Sequence, residues 1–251
     1  MLAGHGEYPL SVIARNRLQF LDQDGKASEH PALPAMPDSV LLLELLTSSH
    51  SADLHSITEI IRNDVGLTVE VLRLATAEPG RRFGSILNIG NLVVEIGMER
   101  LKNLASATKI VMRQSQADDK PQLCEMFWRH ARRVALISEE LAKRTGSENC
   151  EVAYLAGLLR HLGSLPALLS WSIPNSDAHN PGDTGSRLAK AWQFPPILID
   201  VIRGNESACT SVRARRLLRL VNDADAWASR LEFVSFPEML KLQQSENRQN
   251  Q

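Results

Sequence analysis

The stretch Ala156-Gly157-Leu158-Leu159-Arg160-His161-Leu162-Gly163 sets a guanidinium beside an imidazole at the end of an apolar run. An imidazole there could carry a proton or ligate a metal. Arginine keeps its proton and has no acceptor, so Arg160 would repel a cation seeking the same place. A second histidine, His130, lies on an apolar stripe between Phe127 and Val134. It could ligate a metal, yet a neutral core histidine with a hydrogen-bond partner explains it with fewer requirements. Arg213, Arg215, Arg216 and Arg219 recur at helical spacing with no acid among them, and Arg129, Arg132 and Arg133 form a second group. Arg129, Arg132, Arg133, Arg213, Arg216 and Arg219 could therefore hold an anion such as a nucleotide phosphate. The competing account is a solvated helix face that meets acidic neighbours such as Glu139, Glu140, Asp223 and Asp225.

Other chemistry finds little support. Serines, cysteines and histidines are too scattered to pair a nucleophile with a base, and the chain has neither a GxxxxGK phosphate loop nor an HExxH motif. Cys124 and Cys150 read as small apolar helix residues. Ile57 to Leu74 could be taken for a helix-turn-helix, but Leu67-Thr68-Val69-Glu70-Val71-Leu72-Arg73-Leu74 has too few polar groups to read base edges. Direct DNA binding is not expected.

The elements that position these residues are helical. Nearly every periodic segment after residue 37 repeats near 3.6, and no alternating run bounded by turns makes a strand. Asp38 is placed to cap a helix through Leu46, Asp53 to cap a helix with Ile57, Ile60 and Ile61 on one stripe, and Asn63-Asp64 to break it before a helix from Leu67 to Ala77. Pro79, Gly80 and Gly84 mark a loop. Ile89, Leu92, Val93 and Ile96 then repeat helically to Gly97, a good C′ residue, and Met98, Leu101, Leu104, Ala105 and Thr108 begin the next helix. The polar stretch Gln114 to Pro121 predicts a boundary. Beyond it Phe127, His130, Val134, Ile137 and Leu141 line a long helix fraying at Thr145-Gly146, and a helix with Val152, Leu155, Ala156 and Leu159 delivers Arg160-His161. Pro174 to Gly185 reads as a loop by its turn chemistry, with helices following around Leu188 to Gln193, Pro196 to Arg203 and Val212 to Ser229. Pro9 to Leu21 could form a short helix, and Glu238 to Gln251, rich in Gln and Asn, reads as a disordered tail.

Composition bounds the function classes. Twenty-eight basic against 29 acidic side chains among 251 residues give no bulk pull toward nucleic acid or an anionic membrane. With 43% hydrophobic and 23% charged residues the chain reads as an ordinary globular protein large enough to be an enzyme. Cys124, Cys150 and Cys209 form no CxxC and leave an odd thiol if two pair, which predicts a reducing cytoplasmic compartment. The first residues, Met1 to Pro9, lack a signal-peptide pattern, and runs such as Val40 to Leu46 are too short to span a bilayer.

Several motifs in fixed order carry a resemblance. Leu33-Pro34-Ala35-Met36-Pro37, the Asp53 to Leu74 helix pair, Ile89 through Ile96-Gly97-Met98-Glu99-Arg100-Leu101 to Leu104, Phe127-Trp128-Arg129-His130 and Ala156 to Leu165 resemble the HDOD domain, a bacterial relative of HD phosphohydrolases. Trp192-Gln193-Phe194-Pro195 and Leu220-Val221-Asn222-Asp223-Ala224-Asp225 extend the likeness to about Leu231. The resemblance implies an all-α, HD-domain-like helical bundle with an N-terminal helical lobe. Its divisions would be an extension over 1–30, the N-terminal lobe over 31–117, a degenerate HD-like lobe over 118–235 and a polar tail over 236–251.

Carried over by the resemblance, the HD metal pattern of His, His-Asp and Asp falls on His130, Arg160, His161 and Asp225. Two of its four ligand types survive. HDOD-like chains often carry further histidines where this one reads Pro181-Gly182-Asp183-Thr184-Gly185 and Ile202-Arg203-Gly204-Asn205-Glu206. His130, His161 and Asp225 still make a two-His-one-carboxylate set of the sort that binds first-row metals. A simpler account pairs Arg160 with Asp225 or Asp223, so that a buried cation replaces the metal. The expectation is a pseudoenzyme: a non-catalytic bacterial signal-transduction module without cofactor or metal, whose partner is another signalling protein or a nucleotide second messenger. The alternatives are a divergent metal-dependent phosphohydrolase of nucleotides or cyclic dinucleotides and a metal-free binder of an anionic messenger.

Overall fold

The computed structural model describes residues 20–21, 27–28, 33–49, 53–76, 87–108, 120–169, 171 and 180–231. Among them the fold is all-α, as the periodicity predicts, with one two-residue ladder in which β1 (Phe20–Leu21) pairs antiparallel with β2 (Ala27–Ser28). That ladder corrects the helix expected from Pro9 to Leu21: residues 9–19 lie outside the described residues, and Phe20 and Leu21 are extended. The loop at Pro79 to Gly84, the 117/118 boundary and the tail from 236 also lie outside them.

Among the described residues, five helices build the N-terminal lobe. In α1 (Pro37–Ser48) proline takes the first turn, where its missing N–H costs nothing, and Met36 is the N-cap residue. Asp38 is therefore not the cap expected of it; it lies in the first turn, where its charge complements the helix dipole. Asp53 caps α2 (Leu54–Arg62) by accepting from the backbone N–H of His55 and Ser56, and Ile57 and Ile61 go into the core. α3 (Val65–Thr76) starts two residues earlier than the pattern indicates. Asp64 itself begins the helix, its Oδ1 accepting from the Leu67 N–H at 3.1 Å. Asn88 caps α4 (Ile89–Ile96), Gly97 at φ 81° ends it, and α5 (Met98–Ala107) follows at once.

Six more helices follow among the described residues. α6 (Lys120–Thr145) takes in Lys120 and Pro121, which the sequence assigned to a boundary; proline is tolerated in a first turn. Asn149 caps α7 (Cys150–Leu158), after which a turn holds Arg160 and His161, a 3₁₀ turn runs over Leu162–Ser164 and the short α8 covers Leu165–Leu168. α9 (Pro181–Ala191) corrects the loop expected through Gly185. Asn180 accepts from the Asp183 N–H and Pro181 sits in the first turn, so residues read as turn formers serve instead as a helix start. The helix also stops at Ala191, with Gln193 at φ 56° just beyond, rather than running to Gln193. α10 (Pro196–Arg203) ends at Gly204, φ 72°, and α11 (Val212–Arg230) is capped by Ser211.

α6 is the spine, packed along α7 and α11 and touching α3. Gly157 lets α7 close on it, since a Cβ there would lie 2.7 Å from Ser138 Oγ and 2.9 Å from Ala135 Cα. Buried residues from Leu33 to Ala228 form one continuous core across both lobes. Polar pins reinforce the junction. Trp128 Nε1 donates to Asp64 Oδ1 at 3.2 Å, the Tyr154 hydroxyl donates to the Arg62 carbonyl at 2.9 Å, and Arg62 pairs with Glu139 at 3.0 Å and Glu151 at 3.4 Å. No helix among the described residues is long and apolar enough to cross a membrane.

Candidate functional site around His130, His161 and Asp225

Three elements deliver one cluster. α6 buries His130 to 1% exposure on its apolar stripe, the turn after α7 presents His161, and α11 presents Asp225 from the face whose Val221, Ala224 and Ala228 enter the core. Asp225 Oδ1 lies 2.9 Å from His130 Nε2 and 3.0 Å from His161 Nε2, and the two rings stand 5.2 Å apart. A carboxylate only accepts, so both Nε2 atoms are assigned as the protonated ones and both donate to the same oxygen. Burial opposes the charge on Asp225, but the hydrogen bonds from His130 and His161 outweigh it and hold the carboxyl well below the usual range. Burial pushes His161 below the ordinary histidine value against the pull of Asp225, with His130 and Arg160 acting in the same direction as burial.

Arg160 does not pair with Asp225 or Asp223 as the sequence suggested. The bonded oxygen of Asp225 is given to the two imidazoles, and Asp223 points to solvent. Arg160 instead donates through Nε to Asn222 Oδ1 at 3.3 Å and through one terminal nitrogen to the Ile202 carbonyl at 3.5 Å, in the last turn of α10. A helix C-terminus favours such a cation. Gly204 makes room, because a Cβ there would come within 2.7 Å of the guanidinium. Burial lowers the Arg160 pKa, and attraction to Asp225 only partly offsets it.

The ligand atoms of His130, His161 and Asp225 lie within 4.8 Å of one another, close enough to surround an ion. Arg160 stands at one of the four HD positions with a charge that opposes a divalent cation and no lone pair to offer it.

The HDOD domain matches residues 33–172. The chain belongs to the HDOD domain family. It is 26% identical over 200 residues to an uncharacterized protein of Treponema pallidum (strain Nichols), which covers 68% of this chain and 37% of that one. The chain thus spans a little over a third of the length of this curated relative. Among solved structures it shares its fold with the MmoQ response regulator of Methylococcus capsulatus str. Bath, with TM-score 0.60 and 18% identity over 87% of this chain and 90% of that one. It likewise resembles a virulence factor of Campylobacter jejuni subsp. jejuni, with TM-score 0.54 and 20% identity over 77% and 78% of the two chains.

In this HDOD chain the arginine groups lie on exposed or half-exposed helix faces, and several have individual partners. Arg213 grips both oxygens of Glu148, at 2.8 and 2.6 Å; Arg219 pairs with Glu206 at 2.8 Å and Arg129 with Glu125 at 2.8 Å. Arg132 donates to Asn63 Oδ1 at 2.7 Å, Arg216 is exposed within electrostatic reach of Glu148, and Arg133 is half-buried. The acids differ from those expected: Glu139 goes to Arg62 and Glu140 to Arg144. Sequence reasoning missed Asn222 and Gly204 as the residues that seat Arg160. Gly204 directly after an apolar helix was a legible cap, but its closeness to Arg160 is a tertiary fact.

Proposed function

We propose that this HDOD domain is a non-catalytic signal-transduction module that works by binding a protein partner or a small ligand and shifting between helix arrangements. The observation that carries the reading is Arg160 at the HD position beside an Asp225 whose bonded oxygen already takes two imidazole N–H groups. In this reading the former metal site has become a polar clamp joining α6, α11 and the turn after α7. Two further points support it: the fold is shared with a protein named as a response regulator, and its three cysteines are free thiols, which suits a cytoplasmic regulator.

The test is metal content by plasma mass spectrometry on protein purified without chelator, before and after manganese, iron or zinc is added, together with hydrolysis of bis(p-nitrophenyl) phosphate. The expected result is substoichiometric metal and no turnover. Stoichiometric metal that disappears in His130→Ala, with turnover, would instead establish the second reading, a divergent phosphohydrolase of nucleotides or cyclic dinucleotides, which the 4.8 Å convergence of three ligand atoms favours.

A further inference from the structure

We infer that Arg160 anchors a metal-free binding site for a phosphate group at the junction of the post-α7 turn with α10 and α11. This rests on the non-catalytic reading and names the ligand class for the same site. A guanidinium has five N–H donors. Those of Arg160 meet two acceptors among the described residues, at 3.3 and 3.5 Å, both at the long limit for a hydrogen bond. The side chain is half-buried, so much of its hydration is lost, and its charge is not matched by an ion pair among the described residues. The unused donors belong to a planar fork whose geometry matches a phosphate or carboxylate oxyanion. Phosphate is the better fit because it brings up to two charges to a cation this poorly matched.

Three of the surface arginines compete poorly for the same ligand. Arg213, Arg219 and Arg129 would each have to release a carboxylate, whereas Arg160 would release only long contacts to neutral oxygens. Asp225 opposes an anion nearby, but two imidazole N–H groups already share its charge. Phosphate bound here would not be cleaved, since no metal-activated water accompanies it in this reading.

The test uses the full chain with chelator present, titrated with inorganic phosphate and separately with AMP, against chloride at matched ionic strength, by calorimetry and thermal shift. Binding of either probe is expected to raise the melting temperature, to weaken about tenfold or more in Arg160→Met, and to persist in Arg213→Ala. If Arg160→Met does not fold, Arg160→Lys keeps the charge but loses the fork, and its binding is expected to be weaker than that of the native protein. Response to AMP with little response to free phosphate identifies a phosphoester site, and equal response identifies an inorganic phosphate site. The inference is overturned if metal-free protein responds to neither probe, or if folded Arg160 variants bind as the native protein does. Stoichiometric metal with turnover in the first assay would remove the non-catalytic reading instead, so the two failures are separable.

Discussion

At the scale of residues, Asp225 holds three elements together through one oxygen. An unsatisfied buried donor costs more than a hydrogen bond is worth, so the native geometry depends on this carboxylate keeping both imidazoles paired. Asp225→Asn retains shape but removes the charge that strengthens both bonds. It is expected to lower unfolding free energy by about 2 kcal/mol, read from urea denaturation. An unchanged midpoint would show that the two histidines are indifferent to the charge. The same carboxylate was legible as a candidate from its motif, Asn222-Asp223-Ala224-Asp225, but which of its two acids turns inward depends on the helix phase set by Val221, Ala224 and Ala228.

At the scale of elements, two close contacts fix helix positions. Gly163, in the 3₁₀ turn, faces α9 so closely that a Cβ would collide with the Pro181 carbonyl. Gly163→Ala must push α9 away, and a loss of roughly 2 kcal/mol or more in stability is expected by thermal or urea unfolding. Asp64 ties α3 to α1 and α6: it is fully buried and accepts from the Met36 N–H at 2.8 Å, the Leu67 N–H and Trp128 Nε1. Burial, opposed by these donors, raises its pKa above the ordinary 3.8. The folded chain therefore holds this proton to higher pH than the unfolded chain does, and the contribution of Asp64 to stability falls as pH rises through that window. The margin of the native protein over Asp64→Asn should be larger near pH 4 than at pH 7, measured by urea unfolding at both. A pH-independent margin would assign the effect to hydrogen-bond geometry alone. The sequence marked Asn63-Asp64 as a helix break, which it is, but the partners Met36 and Trp128 lie 28 and 64 positions away and leave no local trace.

At the scale of the whole molecule, the core runs unbroken from Leu33 to Ala228, and Arg62 bridges α2 to Glu139 on α6 and Glu151 on α7. Lobes joined through shared buried surface and charged pins are expected to unfold together. Far-ultraviolet and near-ultraviolet circular dichroism should therefore give coincident denaturation curves; two separated transitions would show that the lobes are independent domains.

The sequence alone determined the helical fold class, most helix boundaries and the caps at Asp53 and Gly97, because periodicity and capping are local physics written within a few residues. It misplaced the start of α9, since Asn, Pro and Gly serve turns and helix starts alike and local chemistry does not separate the two. Only the tertiary structure decided where the charges went. Asp225 turned to two histidines, Arg160 to a helix C-terminus beneath Gly204, and Arg213 and Arg219 to Glu148 and Glu206. Partner choice among charges depends on which helix ends the packing brings within a few ångströms, and the linear spacing of residues does not encode that distance.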